Sequence, residues 1–321
     1  MSGDVGRSGA TMEGAAGMSA APSALGPLFG MHIVKRPHFG RWLAALVIGA
    51  IVVGLAYAVA TTPNIAWPQV GSFFANPAIL SGLEVTLELT VLAMVIGIVL
   101  GIVLALMRLS SNVVLRVSSL IYIWLFRGSP LLVQIIVWYN IALVFPSVGF
   151  FGHRVSTNSL VTPFIAAVLA LGLNEGAYMS EIVRAGILSI SHGQMDAALT
   201  LGLTRPKAMR QIVIPQALRV IVPPTGNETI GMLKATSLVS VIAAQDLLTR
   251  AEYVYAKNFL IMELLIVATI WYLILTTVAT VGQYFIEKKI GAGATRSDSV
   301  SKGLGVSIMR QLKRPLSMLT R

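Results

Sequence analysis

The stretch Ile190–Leu203, ISHGQMDAALTLGL, is polar and helix-prone, yet it lies between two long apolar runs. Ser191 followed by Gln194 three residues later has the spacing of a capping box, with Ser at the N-cap and Gln at N3. The helix so opened runs through Asp196, Ala197, Ala198 and Leu201, and Gly202 supplies its C-terminal stop. Thr204-Arg205-Pro206 caps a second helix that heads toward Pro215 with Lys207 and Arg210 exposed. The spacing thus predicts a compact helix-turn-helix with small alanines on one side and cations on the other. Tied down at both ends, such a short helix suits insertion into a groove on a partner.

What flanks this loop decides the fold. The chain of 321 residues is 55% hydrophobic and 12% charged, with a mean hydropathy of +0.79, which points to a membrane protein. A bilayer core takes about 20 apolar residues per helical crossing. Six segments approach or meet that length: Trp42–Ala60, Leu83–Met107, Pro130–Phe145, Leu160–Ser180, Pro224–Ala244 and Phe259–Phe285. The expected fold is an all-α polytopic membrane protein of about six transmembrane helices. Ala58-Val59-Ala60 resembles a signal-peptidase site, but a 41-residue lead and a 19-residue apolar run fit a retained anchor. With no cysteine, there is no disulfide framework, thiol nucleophile or cysteine metal site.

The net charge of +11 suggests a nucleic-acid partner until the basic residues are located. Lys and Arg number four before Trp42, three in 108–129, five in 181–223 and eight after Phe285. The alternate segments 61–82, 146–159 and 245–258 hold none, one and two. This is the positive-inside bias, and it places both termini in the cytoplasm; the basic pI is a topology signal, with no nucleic acid implied. Residues 1–41 read as a disordered N-terminal tail. The tail 291–321 is basic, and its end mixes cations with apolar residues that could lie on anionic lipid.

Punctuation refines the second half of the membrane domain. In FRGSPLL, Arg127-Gly128 breaks a helix, and Ser129-Pro130 reads as an N-cap followed by Pro at the first helical position. Val113–Phe126 is then an elbow helix at the inner interface, with Tyr122 and Trp124 at headgroup depth and Arg127 at the cytoplasmic edge. Charges within the crossings are expensive and mark pathway candidates. Glu84 and Glu263 lie near outer helix ends, and Glu88 is one turn deeper than Glu84. Lys234 lies about ten residues, or ~15 Å, past Pro224, with Thr236 and Ser237 just beyond. Glu175 falls at a comparable depth, which allows a Glu175–Lys234 ion pair. It also allows a zwitterion site in which Lys234 and the hydroxyls face a carboxylate and Glu175 an ammonium. Asn174, Tyr178 and Asn227 are further polar liners.

Nucleotide hydrolysis by this chain is excluded: no G-x-x-x-x-G-K-[ST] loop and no Gly-Lys dipeptide occur, although Ile190–Gln194 loosely resembles an ATPase signature. All four histidines lie outside the crossings, which leaves an intramembrane hydrolase without a base. Asp196-Ala197-Ala198, Gly202, Ile212 and Pro215 match, position for position, the EAA---G---------I-LP loop of membrane permeases of ATP-binding-cassette (ABC) importers. Asp196 stands where that pattern has Glu, and Ile214 where it has Leu. GLEVTLELT (82–90), FRGSPLLVQ (126–134), EIVRAGI (181–187), PPTGNETIGMLKATSLVSVI (223–242) and VGQYFIEKK (281–289) resemble, more narrowly, the polar amino acid permeases.

The resemblance covers roughly residues 80–290. It implies a five-helix permease core with a coupling loop at 181–215, preceded by one additional helix at 42–60. It implies a transport subunit of a prokaryotic cytoplasmic membrane that moves a polar or charged amino acid and has no enzymatic activity of its own. The partners implied are an ABC ATPase dimer holding ATP-Mg, a like or identical permease subunit and an external binding protein. Ser191, Gly193, Gln194, Asp196, Ala197, Ala198, Gly202 and Pro215 would form the ATPase-coupling element, with the Ala197–Ala198 face in the ATPase groove and Glu181 and Arg184 bracing the loop. Lys234, Glu175, Thr236, Ser237, Glu88, Tyr178 and Asn227 would line the substrate pathway. A self-sufficient secondary carrier with Glu88, Glu175 and Lys234 as an ion relay is the alternative.

Overall fold

The computed structural model describes residues 39–150 and 153–291. The expected tails at 1–41 and 291–321 therefore lie almost entirely outside the described residues. Two compact units emerge, one ending at Thr62 and one beginning at Pro63. In the first, α1 (Phe39–Thr61) is a single long apolar helix, exposed along its described length.

The second unit is helical apart from one hairpin. Its elements are α2 (Trp67–Phe74), α3 (Pro77–Leu109), α4 (Val113–Gly128), α5 (Leu131–Tyr139), strands β1 (Ser147–Phe150) and β2 (His153–Ser156), α6 (Thr157–Leu160) and α7 (Pro163–Leu188). There follow α8 (His192–Thr200), α9 (Arg205–Ala208), α10 (Ile214–Ala235), α11 (Leu247–Asn258) and α12 (Ile261–Gly291). The strands pair antiparallel, with Ser147 opposite Ser156 and Phe150 opposite His153.

Helix starts follow local chemistry. Asn76 accepts from the Ala78 N–H at 2.9 Å ahead of Pro77, and Thr162 accepts from the Ile165 N–H ahead of Pro163. Asp246 caps α11 by accepting from the N–H groups of Leu248 and Thr249 and from the Thr249 hydroxyl. The turn that precedes it places Ala243 and Gln245 at positive φ.

Among the described residues, three helices are long and apolar enough to cross a membrane: α1, α3 and α12. The count rises to five if each of two bent pairs makes one span: α4 with α5, bent by 101°, and the run Arg205–Ile242 with α11, bent by 45°. α7 has the length but carries Asn174 and Glu175, both buried against other helices.

Two boundaries expected from the sequence shift. The segment Pro130–Phe145 is not one helix: α5 has nine residues, about 13 Å, too short to cross a ~30 Å core. It ends where the Asn140 side chain donates back to the Ile136 carbonyl at 2.8 Å. Nor does Pro224 start a helix, because α10 begins at Ile214 and runs through Pro223 and Pro224, passing into a 3₁₀ segment at Thr236–Ile242.

Two apolar cores hold the helices together. The larger joins Leu89, Ala93 and Met94 of α3, Ile135 of α5, and Ala166, Leu171 and Met179 of α7 to Met232, Val239 and Ile242. The second gathers Val70, Ile79, Leu247, Ala251, Leu264 and Val267 from α2, α3, α11 and α12. Across the latter, Trp271 stacks on Phe74 at 4.7 Å and donates to its carbonyl.

The axis of the larger core is a close α3–α7 contact. Gly97 and Gly101 on α3 face Glu175 and Met179, while Gly172 and Gly176 on α7 face Ile96 and Leu100. A Cβ at Gly97 would lie 2.4 Å from Glu175 Cγ, and one at Gly101 2.4 Å from Met179 Cβ. Each pair has the four-residue small-xxx-small spacing that lets membrane helix backbones approach.

Candidate functional site

The site is built on the break between α4 and α5. A sharp bend leaves helix-end carbonyls without intrahelical donors. Gln134 donates to the Phe126 and Ser129 carbonyls, and Asn174 of α7 donates to the Phe126 carbonyl at 2.8 Å and to Gln134 at 3.2 Å. Ser129 donates to the Leu125 carbonyl, so Pro130 takes the N-cap place that the sequence assigned to Ser129. Tyr122 is half-buried, its hydroxyl donating to the Leu173 carbonyl at 2.9 Å, so it braces α7; Trp124 stays exposed.

The bend opens a cavity of about 420 Å³, walled by residues 127–131 of the break, Asn174, Glu175 and Tyr178 of α7, and Glu228, Gly231, Met232 and Ala235 of α10. That volume suits one small-molecule ligand. Its charges are two carboxylates and one guanidinium. Glu175 is 3% exposed, and its Oε1 has no hydrogen-bond partner among the described residues. Glu228 is close enough to Glu175 for the two charges to repel. Arg127 lies over the Tyr178 ring at 4.9 Å and 3.9 Å from Glu181 Oε1, so its charge is already shared. Among the described residues no cluster of His, Asp and Glu is arranged to hold a metal ion.

Below the cavity, Glu181 gathers three cations. Arg184, one turn along α7, donates to Oε2 at 2.9 and 3.1 Å, and Arg108 from the last turn of α3 donates to Oε1. With Arg127 nearby, the ends of α3, α4 and α7 are tied together. Burial alone would raise the Glu181 carboxyl, but the hydrogen bonds from Arg184 and Arg108 outweigh it and hold the group below its ordinary value. The expected Glu181–Arg184 pair is present; Arg108, on a helix more than seventy residues away in sequence, gave no local signal.

The loop Ser191–Pro215 has the expected helix-turn-helix with three differences. First, Ser191 accepts from the Gly193 N–H at 3.3 Å, and Gln194 reaches not back to the N-cap but toward Gln216 Nε2 at 3.5 Å, so the reciprocal capping box is not formed. Second, Ala198 is 1% exposed. It is buried with Ala208 and Val213 where α8 packs on the returning chain, leaving Ala197, Asp196 and Gln194 on the outer face. Third, the second helix does not end near Pro215: α9 passes through a π-helical turn at Met209–Val213 directly into α10. Pro215 brings no N–H to the winding, and the wider turn just ahead of it meets that loss, with Gln216 donating to the Ile212 carbonyl. The stop at Gly202 is as expected. Its φ is +81°, its N–H donates to the Leu199 carbonyl and that of Leu203 to the Ala198 carbonyl, a Schellman motif.

Of the expected pathway residues, Glu175 and Tyr178 line the cavity. Lys234 is exposed, and among the described residues no ion pair joins it to Glu175. A helix starting at Pro224 would carry Lys234 to mid-membrane depth; with α10 starting ten residues earlier, Lys234 falls in its last turn, facing outward. Thr236 and Ser237 donate to the Leu233 and Lys234 carbonyls, and Asn227 is held by Gln283 of α12. Glu84 and Glu88 are exposed on α3, so the relay of Glu88, Glu175 and Lys234 has no continuous geometry. Glu263 is 5% exposed and accepts from the Ala66 N–H at 2.8 Å, a brace between α12 and the start of α2. Sequence reasoning missed Glu228, although it lies within the motif at 223–242, and the cavity side of Arg127.

The chain is similar to known proteins. The chain is 39% identical over 262 residues to the arginine transport system permease protein ArgU of Corynebacterium glutamicum, covering 81% of this chain and 83% of that one. It is 36% identical over 215 residues to the L-cystine transport system permease protein TcyB of Bacillus subtilis, covering 67% and 87%. Among solved structures, an amino acid ABC transporter with histidines superposes with a TM-score of 0.59 at 38% identity, over 66% of this chain and 94% of that chain. Residues 97–292 match the binding-protein-dependent transport system inner membrane component family. With a buried acidic cavity above a capped helical loop and relatives of this kind, the chain belongs to that family and is the membrane permease subunit of an ABC importer.

Proposed function

We propose that this permease passes a polar amino acid inward across the cytoplasmic membrane, and that a positively charged one fits its cavity best. The observation that carries the reading is Glu175: a buried carboxylate at the cavity wall with an oxygen unmatched by any donor among the described residues, beside a second carboxylate, Glu228. Such a group calls for a partner, and a ligand ammonium or guanidinium supplies one. Arg127, the one cation among the cavity's wall residues, faces the ligand carboxylate in the place that the sequence assigned to Lys234. The arginine permease among the relatives points the same way.

The remaining parts follow from this role. The outer face of α8, with Gln194, Asp196, Ala197 and the 82%-exposed Leu201, docks on an ATPase subunit, which holds ATP-Mg; Ser191, Gly193, Gly202 and Pro215 give the loop its shape. A second permease and an external binding protein complete the complex. The distribution of Lys and Arg puts both termini, the Glu181 cluster and α8 on the cytoplasmic side. α7, its polar residues turned into the protein, serves as the sixth crossing beside the three long spans and the two bent pairs.

The test is ATP-dependent uptake in proteoliposomes holding the permease with its ATPase and binding protein. Removing a charged hydrogen bond costs ~1.5–3 kcal/mol, so Glu175→Gln or Glu228→Gln should cut arginine uptake by about tenfold or more and glutamine uptake much less. Equal loss for both amino acids, or no loss, would overturn the assignment of the carboxylates.

A further inference from the structure

α10 connects the loop to the cavity. Gln216 in its first turn meets Gln194 of α8, and Glu228, twelve residues on and about 18 Å along the axis, stands in the cavity wall. Between them Pro223 and Pro224 lie inside the helix, which stays continuous. Neither proline has an N–H, so two backbone hydrogen bonds of the regular winding cannot form and the rod is weakest there.

One side chain from another helix grips the residues at and just after this weak point. Gln283 of α12 donates through Nε2 to the Pro223 carbonyl at 3.1 Å and to Asn227 Oδ1 at 3.1 Å, and Glu287 Oε1 accepts from the same nitrogen at 2.7 Å. The amide lies flat on Gly226, where a Cβ would come within 2.7 Å of its Cδ. A glycine at 226 therefore admits Gln283 to the helix backbone; Glu287 takes one N–H of the amide, and the other is shared between the Pro223 carbonyl and Asn227 Oδ1. A hydrophobic contact would hold the two helices together as well, but it would not hold the backbone at the prolines.

We propose that Gln283 is a positioning residue that latches α10 at Pro223–Pro224, so that movement of the loop at the start of α10 reaches Glu228 rather than being lost in flexing at the prolines. This rests on the coupling role proposed for the loop. With the latch gone, α10 flexes freely there: the ATPase partners still dock and hydrolyse ATP, but hydrolysis moves less substrate.

The experiment compares wild type with Gln283→Leu, close in size but without the amide, and with Gly226→Ala, which displaces the amide while leaving it intact. Both are assembled with ATPase and binding protein in proteoliposomes, and arginine uptake and ATP hydrolysis are read on the same samples. The expected result is basal hydrolysis near wild type with arginine moved per ATP down about tenfold in both variants, the scale of a lost network coupling. An uptake-to-hydrolysis ratio equal to wild type in Gln283→Leu would overturn the latch. So would a parallel loss of uptake, hydrolysis and assembled complex, which marks Gln283 as structural only. If the wild-type complex shows no ATP-dependent uptake, the coupling role itself fails, a result distinct from either outcome.

Discussion

The α3–α7 contact offers the sharpest quantitative test of how this fold places its site. In the variant Gly97→Ala/Gly101→Ala, two methyl groups enter where the nearest atoms lie 2.4 Å away, on Glu175 and Met179. Carbon atoms pack at about 3.5–4.0 Å, so each methyl forces a separation of roughly 1 Å or more. At Gly101 the obstruction includes the Met179 backbone carbonyl carbon at 2.9 Å, which no rotamer change can move aside. Overpacking of this kind costs about 1–3 kcal/mol per site. In a domain of this size each kcal/mol lowers the melting temperature by about 2–4 °C, so the double variant should melt ~4–24 °C below wild type. The control is Gly71→Ala on α2, where nothing lies within 4 Å of an added Cβ and the better helix former should leave stability equal or slightly higher. Thermal unfolding of purified protein in detergent, followed by loss of monodisperse material, reads the difference. A double variant that melts with wild type would refute the close approach, and with it the placement of Glu175 by helix packing.

Two further perturbations probe the cytoplasmic end. Replacing Gly202, at φ +81°, with Val puts a β-branched residue in the left-handed region at a cost of ~1–2 kcal/mol; membrane insertion should be normal while binding-protein-stimulated ATPase and uptake are lost, and wild-type values of both would contradict the docking assignment. The second is pH dependence. Because Glu181 titrates below its ordinary value, its cluster adds stability above the unfolded carboxylate value of about 4.3, and that contribution disappears as pH falls through the lower folded value. Melting temperatures of wild type and Glu181→Gln should therefore differ most near neutral pH and converge below about pH 4; a gap that persists in acid would show that the carboxylate charge is not what ties the three helices.

The loop was legible in the sequence because its determinants are local. The positive φ at Gly202 and the break at Gly128–Pro130 each depend on residues within one helical turn, and capping and proline chemistry name them. The acidic cavity was half legible. Burial cost flags any charge in an apolar run, so Glu175 stood out, but its neighbours are set by which helices touch. Lys234 and Glu228 lie on one helix six residues apart, and only the true start and rotation of α10 decide which of them faces Glu175. Periodicity gave little help there, because two prolines argued for a start at Pro224 that tertiary packing overrides. The glycines at 97, 101, 172 and 176 carry a signal of their own: two small-xxx-small pairs in long helices form a packing motif that spacing alone makes readable, although not which pair meets which helix.

These features make sense together when α7 and α10 are compared as mechanical elements. Both run between cavity and loop: Glu175 lies 13 residues before the end of α7, and Glu228 lies 14 residues after the start of α10, close to 20 Å in each case. Yet the two are supported in opposite ways. α7 is unbroken, seated on α3 through glycines that leave no slack, and fixed at its lower end by Glu181. α10 emerges from a π turn and carries two prolines inside the helix, where the Gln283 amide of α12 meets it. On the coupling role proposed for the loop, a push on α8 would therefore move Glu228 more than Glu175. Relative motion of Glu228 against a fixed Glu175 changes the spacing of the two negative charges, and with it the hold on a cationic ligand, since charge-assisted hydrogen bonds weaken steeply once their geometry is lost. The proposed binding and release at one cavity calls for one fixed and one movable wall, and a glycine pair on α7 and a proline pair on α10 fit those two parts.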